Sequence, residues 1–230
     1  MKIGMIVAMK SEICSAISAF GAPLAAQTVS GIDVSVYKIK DSEIYLVQSG
    51  VGEIYAAGAT QMLITRYGVD AIINYGIVGG LTDEMTLCRS VVVEKVVHYD
   101  FDLSEADGCE VGRYENYPSI YLETSKKLCD AAVNAVPELR RVICASGDKF
   151  VGSHERKKEL HSLFNADICE MESAGILLTA NRAGVPVLLI KSVSDSVTGG
   201  IEEAKQMTKD AAKECVKVLL KILDTNEPFI

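Results

Sequence analysis

Two stretches of this chain end apolar runs on carboxylates. One reads Ile168-Cys169-Glu170-Met171-Glu172-Ser173-Ala174, the other Val187-Leu188-Leu189-Ile190-Lys191-Ser192-Val193-Ser194-Asp195. A strand buried on both faces avoids charge, so an acid at its last position stands where the chain leaves the core. In α/β proteins that edge is where ligands bind. Two such acids, on strands joined by one helix, are placed to face a common pocket, as acid–base chemistry requires. A third acid, Glu12, follows the apolar opening of the chain. Each also has a plainer reading. Asp195 suits a helix cap or a turn, Glu172 suits a cap on the helix beginning near Ser173, and Glu12 suits a first helical turn.

The elements that position these acids follow from periodicity. Residues 1–9 read as a buried strand, and Ser11 as the cap of a helix over 12–20. Residues 34–39 and 43–48 flank Lys40-Asp41-Ser42 as a hairpin. Residues 53–67 are helical, with Tyr55, Ala59, Met62, Leu63 and Tyr67 at helix spacing. Residues 71–75 form a strand, and Gly76-Ile77-Val78-Gly79-Gly80 reads as a turn after it. Further strands are expected at 90–98 and 141–146, and helices at 124–133, 154–164, 173–183 and 201–223. Residues 100–119 are irregular and polar, long enough for a functional loop. This alternation predicts a three-layer α/β/α fold with a central mixed sheet. No linker or repeat divides it, so residues 1–230 read as a single domain.

Bulk properties narrow the function. The 230 residues, 49 % apolar and 23 % charged, suffice for one sizeable α/β domain. A formal charge of −8 argues against nucleic-acid or anionic-membrane partners. The densest basic piece, Arg156-Lys157-Lys158, reads as a solvated helix face. Seven cysteines, an odd number with no C-x-x-C, suit reduced thiols in a cytosolic protein. His98, His154 and His161 lack the spacing of a closed zinc site, and the last two read as surface residues. The apolar opening is short for a secretory signal and no run reaches membrane-spanning length, so a soluble, cytoplasmic protein is expected. The glycine-rich pieces Gly50-Val51-Gly52, Gly76 to Gly80 and Gly147-Asp148 match neither the dinucleotide nor the P-loop fingerprint.

The order of motifs resembles the purine nucleoside phosphorylase and nucleosidase superfamily. Within it, the likeness is greatest to bacterial 5′-methylthioadenosine/S-adenosylhomocysteine nucleosidases. It is carried by Met1-Lys2-Ile3-Gly4-Met5-Ile6-Val7-Ala8-Met9-Lys10-Ser11-Glu12, Ser49-Gly50-Val51-Gly52 and Asn74-Tyr75-Gly76-Ile77-Val78-Gly79-Gly80-Leu81. It continues through Ser146-Gly147-Asp148-Lys149-Phe150, Glu170-Met171-Glu172 and Ser194-Asp195. The resemblance implies a nucleoside phosphorylase-like fold and hydrolysis of the N-glycosidic bond of adenine nucleosides modified at the 5′ position. It implies no metal or organic cofactor. It also implies a homodimer in which the partner's 100–119 loop, Pro118 included, helps close the 5′ pocket. Carried onto this sequence, Asp195 is the general acid serving adenine N7, and Ser194 orients it. Glu12 positions the attacking water. Glu172 binds the ribose hydroxyls, Met171 packs beneath the sugar, and Glu170 is a second acid near it. Phe150 stacks on the base beside Val151. Val51, Gly79, Ile77 and Lys191 complete the expected contacts.

Such residues suit the reaction. Breaking the C–N bond leaves positive charge on the ribose and negative charge on the base. An acid at N7 and a carboxylate near the sugar answer both, as in glycoside hydrolysis. Phosphorylases of the superfamily carry a G-D-P-x-R type segment, whereas this chain reads Ala8-Met9-Lys10-Ser11-Glu12, whose carboxylate repels phosphate. Hydrolysis is therefore expected over phosphorolysis. A non-catalytic nucleoside binder is the other alternative, and it has no need of all three acids. Three positions depart from the family pattern. Ile77 replaces a small hydroxyl residue, Lys191 an arginine, and 196–200 lacks the usual aromatic. The 5′-substituent is left open by them.

Overall fold

Side chains of the first strand alternate between two cores. Ile3, Met5 and Val7 enter one, and Ile6 enters the other. This period of two is what a strand buried on both faces produces. The computed structural model describes residues 1–224; 225–230, the end of the expected domain, lie outside the described residues. The elements in order are β1 (Lys2–Val7), α1 (Lys10–Phe20), β2 (Ala25–Val29), β3 (Ile32–Ile39), β4 (Ser42–Gln48), α2 (Glu53–Tyr67), β5 (Ala71–Gly80) and β6 (Ser90–His98). Then come α3 (Ser104–Asp107), β7 (Tyr121–Glu123), α4 (Lys126–Ala135), β8 (Arg140–Ser146), α5 (His154–Phe164), β9 (Ile168–Glu170), α6 (Ser173–Arg182), β10 (Val187–Asp195) and α7 (Ile201–Leu223).

The strands form one mixed sheet of order β10-β6-β8-β9-β5-β1-β4-β3-β2, with β7 beside β6. β10 also pairs with β5, so β5, β10, β6, β8 and β9 close into a ring. β1 runs parallel to β4 and β5, and β10 parallel to β5, while β9 runs antiparallel to β5. α2 and α6 pack together on one face through Ala56, Ala59, Leu63, Ile176, Leu177 and Ala180. α1, α4 and α7 cover the other through Ala16, Leu128, Ala132, Cys215 and Leu219. A smaller core holds Leu160 and Phe164 of α5 against Val97, Tyr99 and Ala145. The expected α/β fold, a central mixed sheet flanked by helices, is the one found.

Several local expectations change. Gly76 to Gly80 is not a turn but the second half of β5, because ring closure requires extended backbone there. Ser11 does not cap α1. The helix begins at Lys10, and the Glu12 carboxylate takes the Met9 N–H at its start. β2 and β7 are additional strands. β2 is mostly exposed and offers no buried alternation to read. Within 100–119 the short α3 is the regular helical piece. Lys157 is the clearest correction: it is not on a solvated face but fully buried on α5, in line with Leu160 and Phe164. All seven cysteines are free.

Candidate active site

The end of β5 gathers the acids. Gly79 pairs with Asp195 of β10 on one side and with Cys169 of β9 on the other. β9 and β10 thus run in opposite directions, yet their carboxylates reach one cavity, of about 280 Å³. Glu12 joins them from the first turn of α1, which follows β1, the neighbour of β5. Apolar side chains of Val51, Phe150, Val151 and Met171 line the same space, with Ile201, Ala204 and Thr208 of α7. Val151 is buried, whereas Phe150 and Val51 are about half exposed, at 53 % and 48 %. Those two side chains therefore form the mouth rather than the floor.

Glu12 is buried and held by backbone alone. Its Oε2 accepts from the N–H groups of Ala8 at 3.0 Å and Met9 at 2.8 Å. Its Oε1 accepts from the N–H of Ile77 at 2.9 Å. A carboxylate offers roughly four acceptor positions, so about one is left, on Oε1. The approach requires a bare backbone, since a Cβ on Gly76 would lie 2.7 Å from Oε1. Burial pushes the Glu12 carboxyl above its ordinary range, against the pull of the Ile77 and Met9 N–H groups and of Lys191. A carboxylate raised in this way is a stronger base than an exposed one, which suits the uptake of a proton from water. Ile77 brings no polar side chain, but its main chain supplies the bond that orients the acid.

Glu172 and Glu170 form a carboxylate pair with divided environments. Glu172 Oε1 accepts the Gly52 N–H at 2.9 Å. Gly52 has φ of 107°, a conformation that glycine adopts without strain. Burial, then the charge of Glu170, pushes Glu172 up to about 7. Glu170 is buried too, but the Lys191 ammonium at 2.9 Å and the Ser173 hydroxyl at 2.9 Å outweigh that and hold it below the usual range. A further acid, Glu53, is buried behind them. It accepts from the Ser146 hydroxyl and the Gly175 N–H, each at 2.5 Å. Burial and the neighbouring Glu170 charge push it up to about 8.

Asp195 is 2 % exposed. The Ser194 hydroxyl donates to Oδ1 at 2.9 Å, and the Lys157 ammonium donates to Oδ2 at 2.5 Å. Burial raises its carboxyl above the ordinary aspartate range, while Lys157 and Ser194 pull it down. A buried acid with one hydroxyl partner and one cation can carry a proton to a base that enters beside it.

Most residues singled out in the sequence converge here. Glu12, Val51, Ile77, Gly79, Phe150, Val151, Glu170, Met171, Glu172, Ser194 and Asp195 all line the cavity. Lys191 does not. It lies behind the cavity, 1 % exposed, as the counter-charge of Glu170. Missed were Lys157, Glu53 and the inner positions of α7. The signal for Lys157 was its place on a stripe with Leu160 and Phe164; for α7 it was the spacing of Ile201, Ala204 and Thr208. Glu53 gave no local signal.

Comparison with known proteins gives the family of the chain. The family model of the Phosphorylase superfamily matches residues 2–224. A 5′-methylthioadenosine/S-adenosylhomocysteine nucleosidase of Shewanella halifaxensis is 33 % identical over 202 residues, covering 85 % of this chain and 86 % of that protein. The chain belongs to the 5′-methylthioadenosine/S-adenosylhomocysteine nucleosidase family. Solved structures agree with this nucleosidase assignment. The futalosine hydrolase of Helicobacter pylori has a TM-score of 0.92 at 28 % identity, covering 97 % of each chain. A nucleosidase of the same organism, bound to butyl-thio-DADMe-Immucillin-A, has the same TM-score, identity and coverage. The Streptococcus pneumoniae nucleosidase with a transition-state inhibitor reaches 0.91 at 27 % identity, covering 99 % of this chain and 100 % of that one.

Proposed function

We propose that this nucleosidase hydrolyses the N-glycosidic bond of adenine nucleosides modified at the 5′ position, releasing free adenine. The observation that carries the reading is the convergence of Glu12, Glu172 and Asp195 on one cavity, each in a different electrostatic setting. The bond from C1′ to N9 breaks, and its electron pair passes to the base. Asp195 delivers a proton to N7, so adenine leaves neutral. Water bonds to C1′ and gives its proton to Glu12, whose free acceptor position is on Oε1. Glu172 holds the ribose hydroxyls and sets negative charge beside the cationic sugar, an interaction that strengthens in the transition state. Met171 packs beneath the sugar, and Phe150 and Val151 contact the base. Glu170 stands beside the sugar as a second acid, and Lys191 holds it from behind the cavity. General-acid catalysis of this kind contributes about 10²–10⁴-fold.

Water rather than phosphate suits the Glu12 end, because the buried cation nearest in charge, Lys191, is already spent on Glu170. The 5′ side is bounded by Ile201, Ala204, Lys205 and Thr208, with no aromatic ring among them. Methylthio, homocysteinyl and futalosine-type substituents are the candidates. The whole chain acts as one domain, in the cytoplasm; among the described residues no helix is long and apolar enough to cross a membrane. It works as a homodimer. Support comes from exposed Ile54 at 81 % and Tyr55 at 65 %, beside the mouth residue Val51, and from exposed Leu103 in the 100–119 loop.

The test is a panel of adenine nucleosides assayed for free adenine with and without phosphate. Turnover without phosphate supports hydrolysis. Turnover only with phosphate makes the protein a phosphorylase, and binding without cleavage makes it a binder. Asp195→Asn is expected to lower kcat by at least about 10²-fold with little change in affinity.

A further inference from the structure

Lys157 and Lys191 are the two fully buried lysines among the described residues. Lys157 has no packing reason to be one. It occupies an inward position of α5 in line with Leu160 and Phe164, where leucine or methionine would fill the space without desolvating a charge. Its ammonium has three protons and three acceptors: Asp195 Oδ2 at 2.5 Å, the Ser196 carbonyl at 2.6 Å and the Gly199 carbonyl at 3.0 Å. Two of these are neutral, so Asp195 is its one counter-charge there.

The other groups facing Asp195 do not substitute for it. Ser194 of β10 is a neutral donor. Gly79 of β5 carries no side chain. Cys169 of β9 is pushed up to about 12 by burial and stays a neutral thiol. Glu203 of α7 adds repulsion, and its own carboxylate is held by the Ser196 N–H and hydroxyl.

We propose that Lys157 is a positioning residue that sets the protonation state of the acid: its ammonium stores Asp195 as a carboxylate in the unliganded site and thereby fixes the alkaline limit of activity. The contact also ties α5 to the 196–199 turn that leads into α7, and so to the 5′ wall of the cavity. The proton destined for N7 must first be taken up by a carboxylate that already has a cation on Oδ2. That uptake becomes harder as pH rises, and Lys157 decides how early.

The inference rests on Asp195 being the acid, and the two can fail separately. The experiment is the pH profile of kcat/KM for 5′-methylthioadenosine in the wild type, Lys157→Met and Lys157→Arg. An opposite charge in contact lowers a carboxyl pKa by about 1–3 units, so the alkaline limb of Lys157→Met should move up by about 1–3 pH units. Lys157→Arg keeps the charge and should keep the limb. A uniform loss of activity with an unmoved limb, in a variant with wild-type circular dichroism, makes Lys157 a mere brace and overturns the proposal. Isotope-edited infrared spectra of the unliganded wild type, with Asp195→Asn subtracted, decide the matter even if Lys157→Met does not fold. A carboxylate band for Asp195 at neutral pH supports the proposal, and a carboxylic-acid band overturns it. An Asp195→Asn protein as active as wild type would instead remove the acid itself, whatever the infrared result.

Discussion

Glu12→Gln separates the structural from the chemical work of one carboxylate. In the native protein Oε2 accepts two backbone N–H groups and Oε1 accepts one. A glutamine side chain has one acceptor oxygen and one NH₂. With its oxygen toward Ala8 and Met9, the NH₂ confronts the Ile77 N–H and the water position together. Turned the other way, it confronts two N–H groups at the start of α1. Either choice leaves at least one buried donor without an acceptor, at a cost of about 1–3 kcal/mol. For a chain of this size that is a fall in Tm of roughly 2–12 °C, at the low end with the first orientation. Activity suffers more, because the amide cannot take a proton from water: kcat for adenine release should drop about 10²–10⁴-fold. The assay is adenine release alongside thermal unfolding on the same preparation. A variant with lowered Tm and wild-type kcat would make Glu12 a helix-start residue and nothing else. An unchanged Tm would refute the hydrogen-bond reasoning even if kcat fell.

Other consequences are as direct. Gly76→Ala would put a Cβ 2.7 Å from Glu12 Oε1, and displacing that carboxylate by about 1 Å should cost on the order of 10²-fold in kcat, read in the same adenine assay. Lys191→Met removes the counter-charge of buried Glu170 and should lower unfolding free energy by about 3–5 kcal/mol in urea titrations; a loss below about 1 kcal/mol would mean Glu170 finds a proton or water instead. Glu53 at about 8 and Glu172 at about 7 both lie above the unfolded value of 4.5, so the fold binds their protons more tightly than the unfolded chain does. Their contribution is complete below 4.5 and is lost as pH rises through about 7 and about 8. Tm should therefore fall across that interval, and Glu53→Gln should flatten its upper part; a Tm that climbs there contradicts the assignment.

The sequence made the acids visible because a charge closing an apolar run is costly anywhere but at a functional edge. It also made α2, α5 and α7 legible to the residue, since each has a helical stripe and a clear start. What it hid was tertiary in origin. Lys157 sits in a run of three basic residues, and its inward direction emerges only from the stripe it shares with Leu160 and Phe164. Glu53 looks like any acid in a first helical turn, yet it caps the α6 backbone at Gly175, far along the chain. Glycines 76, 79 and 80 suggest a turn locally, whereas β10 and β9 on either side hold them extended. Lys191 carried a readable sign: a lysine inside a fully buried strand demands a buried acid, and Glu170 is that acid.

The closed ring of strands has a consequence for how the protein is made. β5 leaves the ribosome more than a hundred residues before β10, the strand that completes the ring. Until β10 arrives, β5 and β6 each expose an open edge, and pairing across so long a stretch of chain is slow. The strand that seals those edges is also the one that carries Asp195. With Asp195 as the proposed acid, catalysis cannot precede closure. The return of adenine release after dilution from denaturant is a clock for this last assembly step, and a nascent chain stalled before residue 187 would be at once inert and prone to aggregate.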